Sequence, residues 1–287
     1  MASTKYIFSG HESFSCKSLW PKKGYDFVKS GYQFSSAESV MILGVGKNMV
    51  SSIRFWIKAL GLIDNLGQLT KLADYLFDDK VGKDKYVEDL GTLWLLHFNL
   101  VNNLEATLYD WIFRGMQKER KLFSRDAAVS YVKRRFAEEG KQNLFNINTI
   151  KKDVSVLLQS YTLPQKPKSN EDYSLLLMDL DLIRQSRDSK DYYFNIEGKR
   201  KISCEIFLYA ILAIKGEDDT LPFEKIQEKV GLAFCMNDME TIVILQTLSS
   251  RYPDYLQYSD VAGIRQLQFT KSLDAFKVLD DYYGTDI

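Results

Sequence analysis

The sequence predicts a mainly α-helical chain made of tandem winged-helix-like units, each a helix-turn-helix followed by a small β-hairpin. Three observations support this. Apolar residues recur at helical spacing in successive segments. Glycine turns and short hairpin signals separate those segments. The zero net charge of the 287 residues hides a split: residues 1–168 carry 25 Lys/Arg against 17 Asp/Glu (+8), and residues 169–287 carry 13 against 21 (−8). Such asymmetry points to a nucleic-acid surface on the basic side. At 45% apolar and 13% aromatic, the chain is too apolar to be disordered.

Ser35 and Glu38 form a capping box for a helix through Leu43, which Gly44 and Gly46 break. A second helix runs from Lys47 to Leu60 and stops at Gly61. Met49, Val50, Ile53, Trp56, Ile57 and Leu60 form its buried face. Lys47, Ser51, Arg54 and Lys58 line the opposite stripe, Asn48 beside them, with no acid in the stripe. Leu62, Ile63 and a turn at Asn65-Leu66-Gly67 give a small wing, and Lys71 to Phe77 another helix. Lys47, Asn48, Ser51, Arg54 and Lys58 can reach base edges and phosphates from a major groove. The alternative is a plain helical hairpin with a solvated cationic stripe.

Tyr86 to Phe113 is helical and strongly apolar, a shared core with His97 as a satisfied core imidazole. The pattern then recurs. Ser124 caps a helix from Arg125 to Glu139, ended by Gly140, and Asn148 caps one from Thr149 to Ser160. Ile150, Val154, Leu157, Leu158 and Tyr161 give the second helix its core face. The chain's densest basic stretch runs from Arg114 to Lys152. Lys133, Arg134, Arg135, Thr149, Lys151 and Lys152 are therefore a second candidate DNA surface.

Pro164 to Asn170 is polar and helix-breaking, and is the expected boundary. Beyond it come a strand at 192–196, a turn at Glu197-Gly198 and a buried helix from Ser203 to Ile214. A third helix pair follows at 221–230 and 237–248, then strands at 255–259 and 264–269 and a closing helix at 272–282. The second helix of that pair opens with Asn237, Asp238 and Glu240 and has no base before Arg251, so this unit suits protein contact rather than DNA. The expected domains are 1–113, 114–168 and 169–287.

Several chemistries lack their residues. Two histidines and no CxxC pair cannot build a His-rich site or a zinc finger. Gly44 to Asn48 lacks the spacing of a phosphate-wrapping loop. No G-x-S-x-G turn stands near a histidine. Asp179 and Asp181 followed by Glu197-Gly198-Lys199 match the order of magnesium-dependent nucleases, a remote alternative. No catalytic residue, cofactor or metal is therefore expected. Three distant cysteines, no apolar N-terminal core and no membrane-length apolar run suggest a cytoplasmic protein without membrane contact.

Phe8-Ser9-Gly10-His11-Glu12, Leu43 to Met49, Arg54-Phe55-Trp56, Leu93 to His97 and the helix from Thr149 to Leu158 together resemble the bacterial family known as domain of unknown function 4007. That resemblance implies a protein encoded beside the sulfur-transfer enzymes of DNA phosphorothioate modification. It brings no catalytic residue. His11 beside Glu12 reads as a buried hydrogen-bonded pair, with orientation of a partner or phosphate as the alternative. The expected function is a non-catalytic accessory subunit that binds double-stranded DNA. Its acidic half would recruit the modification enzymes or a second copy. A transcriptional regulator of the gene cluster and a protein scaffold are the rival expectations.

Overall fold

The computed structural model describes residues 6–164, 173–196 and 202–284. Among them the chain is mainly helical, with two small antiparallel three-stranded sheets. It divides into two compact units, Met1–Asn195 and Ile196–Ile287.

The first unit opens with a strap before α1 (Trp20–Lys29), α2 (Ser39–Leu43), α3 (Lys47–Ala59) and α4 (Lys71–Phe77). Ser35 and Glu38 do not make the expected capping box: α2 begins three residues later, with Glu38 itself at the N-cap, because Ser36 instead folds a turn in which its hydroxyl accepts from the Glu38 N–H. α3 ends as its glycine requires. Gly61 takes φ +76°, and the Gly61 and Leu62 N–H groups return to the Lys58 and Ile57 carbonyls. Ile63 then pairs with Leu69 across a short turn, and Thr70 caps α4. The core holds Ile53, Trp56, Ile57 and Phe77, all at most 1% exposed.

Next come α5 (Leu90–Asn102), α6 (Thr107–Asp110), a π-helical turn (Trp111–Met116) and α7 (Gln117–Glu119). His97 is fully buried, its Nδ1 2.7 Å from the Tyr161 hydroxyl, as a satisfied core imidazole should be. After these, β1 (Leu122–Phe123) leads to α8 (Arg125–Glu138) and α9 (Ile147–Tyr161). Ser124 caps α8, but Asn146, not Asn148, caps α9, accepting from the Asn148 and Thr149 N–H groups. β2 (Ile183–Gln185) and β3 (Tyr192–Phe194) complete a sheet in the order β1-β3-β2.

That pairing moves the boundary. Leu122 registers with Tyr193, Phe123 with Tyr192, and Lys17 pairs with Leu175, so residues 175–195 belong to the first unit. The expected cuts after residues 113 and 168 do not coincide with the observed one. Of the expected Pro164-to-Asn170 break only Pro164 is described; the rest of it and the Glu197-Gly198 turn lie outside the described residues.

The second unit contains α10 (Cys204–Lys215), β4 (Thr220–Pro222), α11 (Phe223–Ile226) running into a π-helical turn (Gln227–Gly231), α12 (Asp238–Arg251), β5 (Leu256–Val261), β6 (Ile264–Phe269) and α13 (Ala275–Tyr283). Asn237 and Glu240 form a capping box at the start of α12. Sheet order β4-β6-β5 repeats the arrangement of the first sheet, with two helices between the first strand and the other two. Leu208, Leu221, Phe234 and Leu245 are fully buried. Among the described residues no helix is long and apolar enough to cross a membrane.

Candidate nucleic-acid interface

α3 presents the predicted stripe. Val50, Ile53, Trp56 and Ile57 face the core, while Lys47, Asn48, Ser51 and Arg54 are exposed. Among the described residues no carboxylate pairs with Lys47 or Arg54. The fifth residue differs. Lys58 is half-buried, its Nζ 3.0 Å from Glu105 Oε2. The acid missing from the local stripe arrives from the loop after α5, where Asn103 also donates to the Lys58 carbonyl.

The Lys133-Arg134-Arg135 run is largely neutralised. Lys133 is exposed with no ion pair among the described residues. Arg134 contacts Glu119 and lies 3.4 Å from Glu138. Arg135 lies 2.9 Å from Glu139, and its guanidinium sits 5.4 Å from the Trp111 ring centre. For Glu138 and Glu139 the cause is helical spacing, since residues three and four apart share a face, whereas Glu119 comes from α7. Arg134 and Arg135 therefore serve α8 rather than projecting free charge.

α9 keeps its cations. Lys151 and Lys152 are exposed and make no ion pair among the described residues, while Ile150, Val154, Leu157 and Tyr161 are buried. Thr149 is only half-exposed, its backbone N–H taken by the Asn146 cap.

A strap, residues 6–14, joins α3 and α9. The Ile7 N–H donates to Thr107 Oγ1. The Ser9 N–H donates to Asp153 Oδ2 on α9 at 2.8 Å. His11 Nε2 lies 3.1 Å from Asp153 Oδ1, a close approach without hydrogen-bond geometry, while Nδ1 accepts from the Ser13 N–H, so the imidazole proton belongs on Nε2. The same imidazole stacks on Trp56 of α3, centroids 6.2 Å apart, and Trp56 Nε1 donates to the Phe14 carbonyl. His11 and Asp153 are 4% and 3% exposed, a buried polar pair linking two helices. Glu12, expected to partner His11, is exposed. Gly10 is required by close approach: a Cβ there would stand 2.4 Å from the Phe55 ring. Local sequence shows the unusual strap but cannot reveal a partner 142 positions away.

Two further cations were not anticipated. Arg187 and Lys190 are exposed on the hairpin between β2 and β3, which the Ser186 N–H to Asp191 carbonyl bond closes at 2.8 Å. A polar run between two short apolar segments was the available signal.

Of the nuclease-like acids, Asp179 is exposed, and Asp181 is held by Arg184 and by the Asn195 amide at 2.8 Å. Glu197 and Lys199 lie outside the described residues. Among the described residues, no group of three or more His, Cys, Asp or Glu could hold a metal ion.

The protein is thus mainly helical, its strand–helix–helix–strand–strand order occurs two times, and Lys47, Arg54, Lys151 and Lys152 stand on exposed helix faces without an ion pair among the described residues. The chain belongs to the family described as protein of unknown function DUF4007, whose model matches residues 8–283. It is similar to two solved structures, described as the SspB crystal structure and the magnesium ion-bound SspB crystal structure. Each shares 25% identity at a TM-score of 0.86, covering 98% of this chain and 88% of the other. No curated protein matches.

Proposed function

We propose that the chain is a non-catalytic DNA-binding accessory subunit of a bacterial DNA modification and phage-defence system of the phosphorothioation type. On this reading its repeats are tandem winged-helix-like units, with α3 and α9 as the second helices of two of them. The observation that carries it is that Lys47, Arg54, Lys151 and Lys152 are exposed and unpaired among the described residues, on two helices bridged by one imidazole. Phosphate attracts such cations, and helices of this kind enter a major groove. The family resemblance supports the setting, a cytoplasmic protein working beside sulfur-transfer enzymes.

The second unit is read as the docking module for those enzymes or for a second copy. Acidic Asp238 and Glu240 open α12, which suits protein contact better than phosphate. The test is a fluorescence-anisotropy titration with duplex DNA at several salt concentrations. Lys151→Glu with Lys152→Glu should weaken binding at least tenfold and flatten the salt dependence. Equal affinity for wild type and variant would remove α9 from the interface.

A second reading, magnesium-dependent strand cleavage, is favoured by the magnesium ion in one similar structure. The described residues of this chain do not assemble a fitting carboxylate set, so no step is derived through the metal. Magnesium-dependent nicking of a supercoiled plasmid, lost in Asp181→Ala or Lys199→Ala, would decide for this reading.

A further inference from the structure

Beside Arg54 lies a cavity of about 310 Å³, between the α1–α2 connection and the short wing after α3. Arg54, Gln33, Gln68 and Tyr32 bring a guanidinium, two amides and a phenol to one place. None of these side chains has a polar partner among the described residues. Tyr32, 43% exposed, packs one side of its ring against Phe27, centroids 5.5 Å apart. Leu66, at the tip of the wing, is 86% exposed. That tip is stiff. Asp64 Oδ1 accepts from the Leu66 and Gln68 N–H groups at 2.8 and 2.9 Å, and the Asp64 N–H donates back to the Gln68 carbonyl.

We infer that this cavity holds one nucleotide unstacked from a duplex, with Leu66 as the wedge filling the gap it leaves. The inference rests on the DNA-binding reading of α3 and deepens it. Each part has a chemical task. A guanidinium suits the nucleotide's phosphate, and amides suit the hydrogen-bonding edge of a base. An aromatic ring suits stacking, and rigidly presented apolar side chains are what part base steps. The volume lies at the small end for ligand sites, which fits one nucleotide and not a longer segment. A buried structural role is ruled out for Leu66 by its exposure. A free nucleotide would share the cavity's chemistry but has no use for the wedge.

The experiment compares two labelled duplexes of the same sequence, one flush and one carrying a single-nucleotide bulge. The bulged base has no Watson–Crick partner to lose, so drawing it out of the duplex costs less. Wild type is expected to bind the bulged duplex about tenfold tighter, equivalent to about 1.4 kcal/mol. Gln33→Ala with Gln68→Ala should abolish that preference. Both side chains are exposed, so an unchanged thermal unfolding midpoint confirms that the variant folds. Equal binding of both duplexes by wild type overturns the inference and leaves the DNA-binding reading standing. Binding of neither overturns both. Tight binding of adenosine monophosphate with no bulge preference also overturns it, in favour of a free-nucleotide site.

Discussion

His11 shows what a single side chain settles. Its ring stacks on Trp56 while Nε2 meets Asp153, so two helices distant in sequence share one polar contact. Removing the imidazole takes the close polar neighbour from Asp153 Oδ1 and leaves a void beside Trp56, while the Ser9 N–H still serves Oδ2, so the cost is about 1 to 3 kcal/mol. His11→Ala should lower the denaturation midpoint accordingly, and His11→Ala with Asp153→Ala should cost less than the sum of the two single changes. Additive costs would mean that the pair does not couple. The cysteines bear on sulfur chemistry. Burial pushes the Cys16 thiol well above its usual range. Burial first, then the neighbouring Glu205, pushes Cys204 up to about 11. A raised thiol pKa leaves little thiolate at neutral pH, and thiolate is the nucleophile. Neither thiol should react with Ellman's reagent near pH 8 until the protein is denatured. A rapid native reaction localised to Cys204 would contradict this.

At the scale of elements, local pattern was a good guide where the forces are local. α3, α4, α8 and α12 begin and end close to where periodicity and capping residues place them, because their caps and core faces lie within a few positions. Failures came where a partner lies far along the chain. Glu105 reaches Lys58, Glu119 reaches Arg134, and β3 returns to β1 from beyond the Pro164-to-Asn170 break. The strap was recognisable as a motif, but its joining of α3 to α9 was not. Consequences differ by helix. Arg134→Gln with Arg135→Gln should change duplex affinity less than twofold, since those guanidinium groups already pair with Glu119, Glu138 and Glu139. Arg187→Ala with Lys190→Ala should reduce the log–log salt slope by about 1 to 2, since each phosphate contact contributes close to one. An unchanged slope would exclude the β2–β3 hairpin from contact with DNA.

Across the whole molecule, two halves of opposite charge give a chain that is neutral in sum and polarised along its length. The basic half contains α3, α9 and the strap. The acidic half includes a compact unit with the same strand order but an acidic second helix. One architecture thus carries two surface chemistries, because exposed side chains vary while buried ones keep the fold. On the proposed function, the cations of α3 and α9 that are unpaired among the described residues form one DNA surface together. The deciding measurement is duplex affinity for wild type, for Lys47→Glu with Arg54→Glu, and for that pair combined with Lys151→Glu and Lys152→Glu. Wild type should bind in the nanomolar-to-micromolar range, more weakly as salt rises, with affinity falling at least tenfold in the first variant and lost in the second. Affinity that survives all four charge reversals would contradict it.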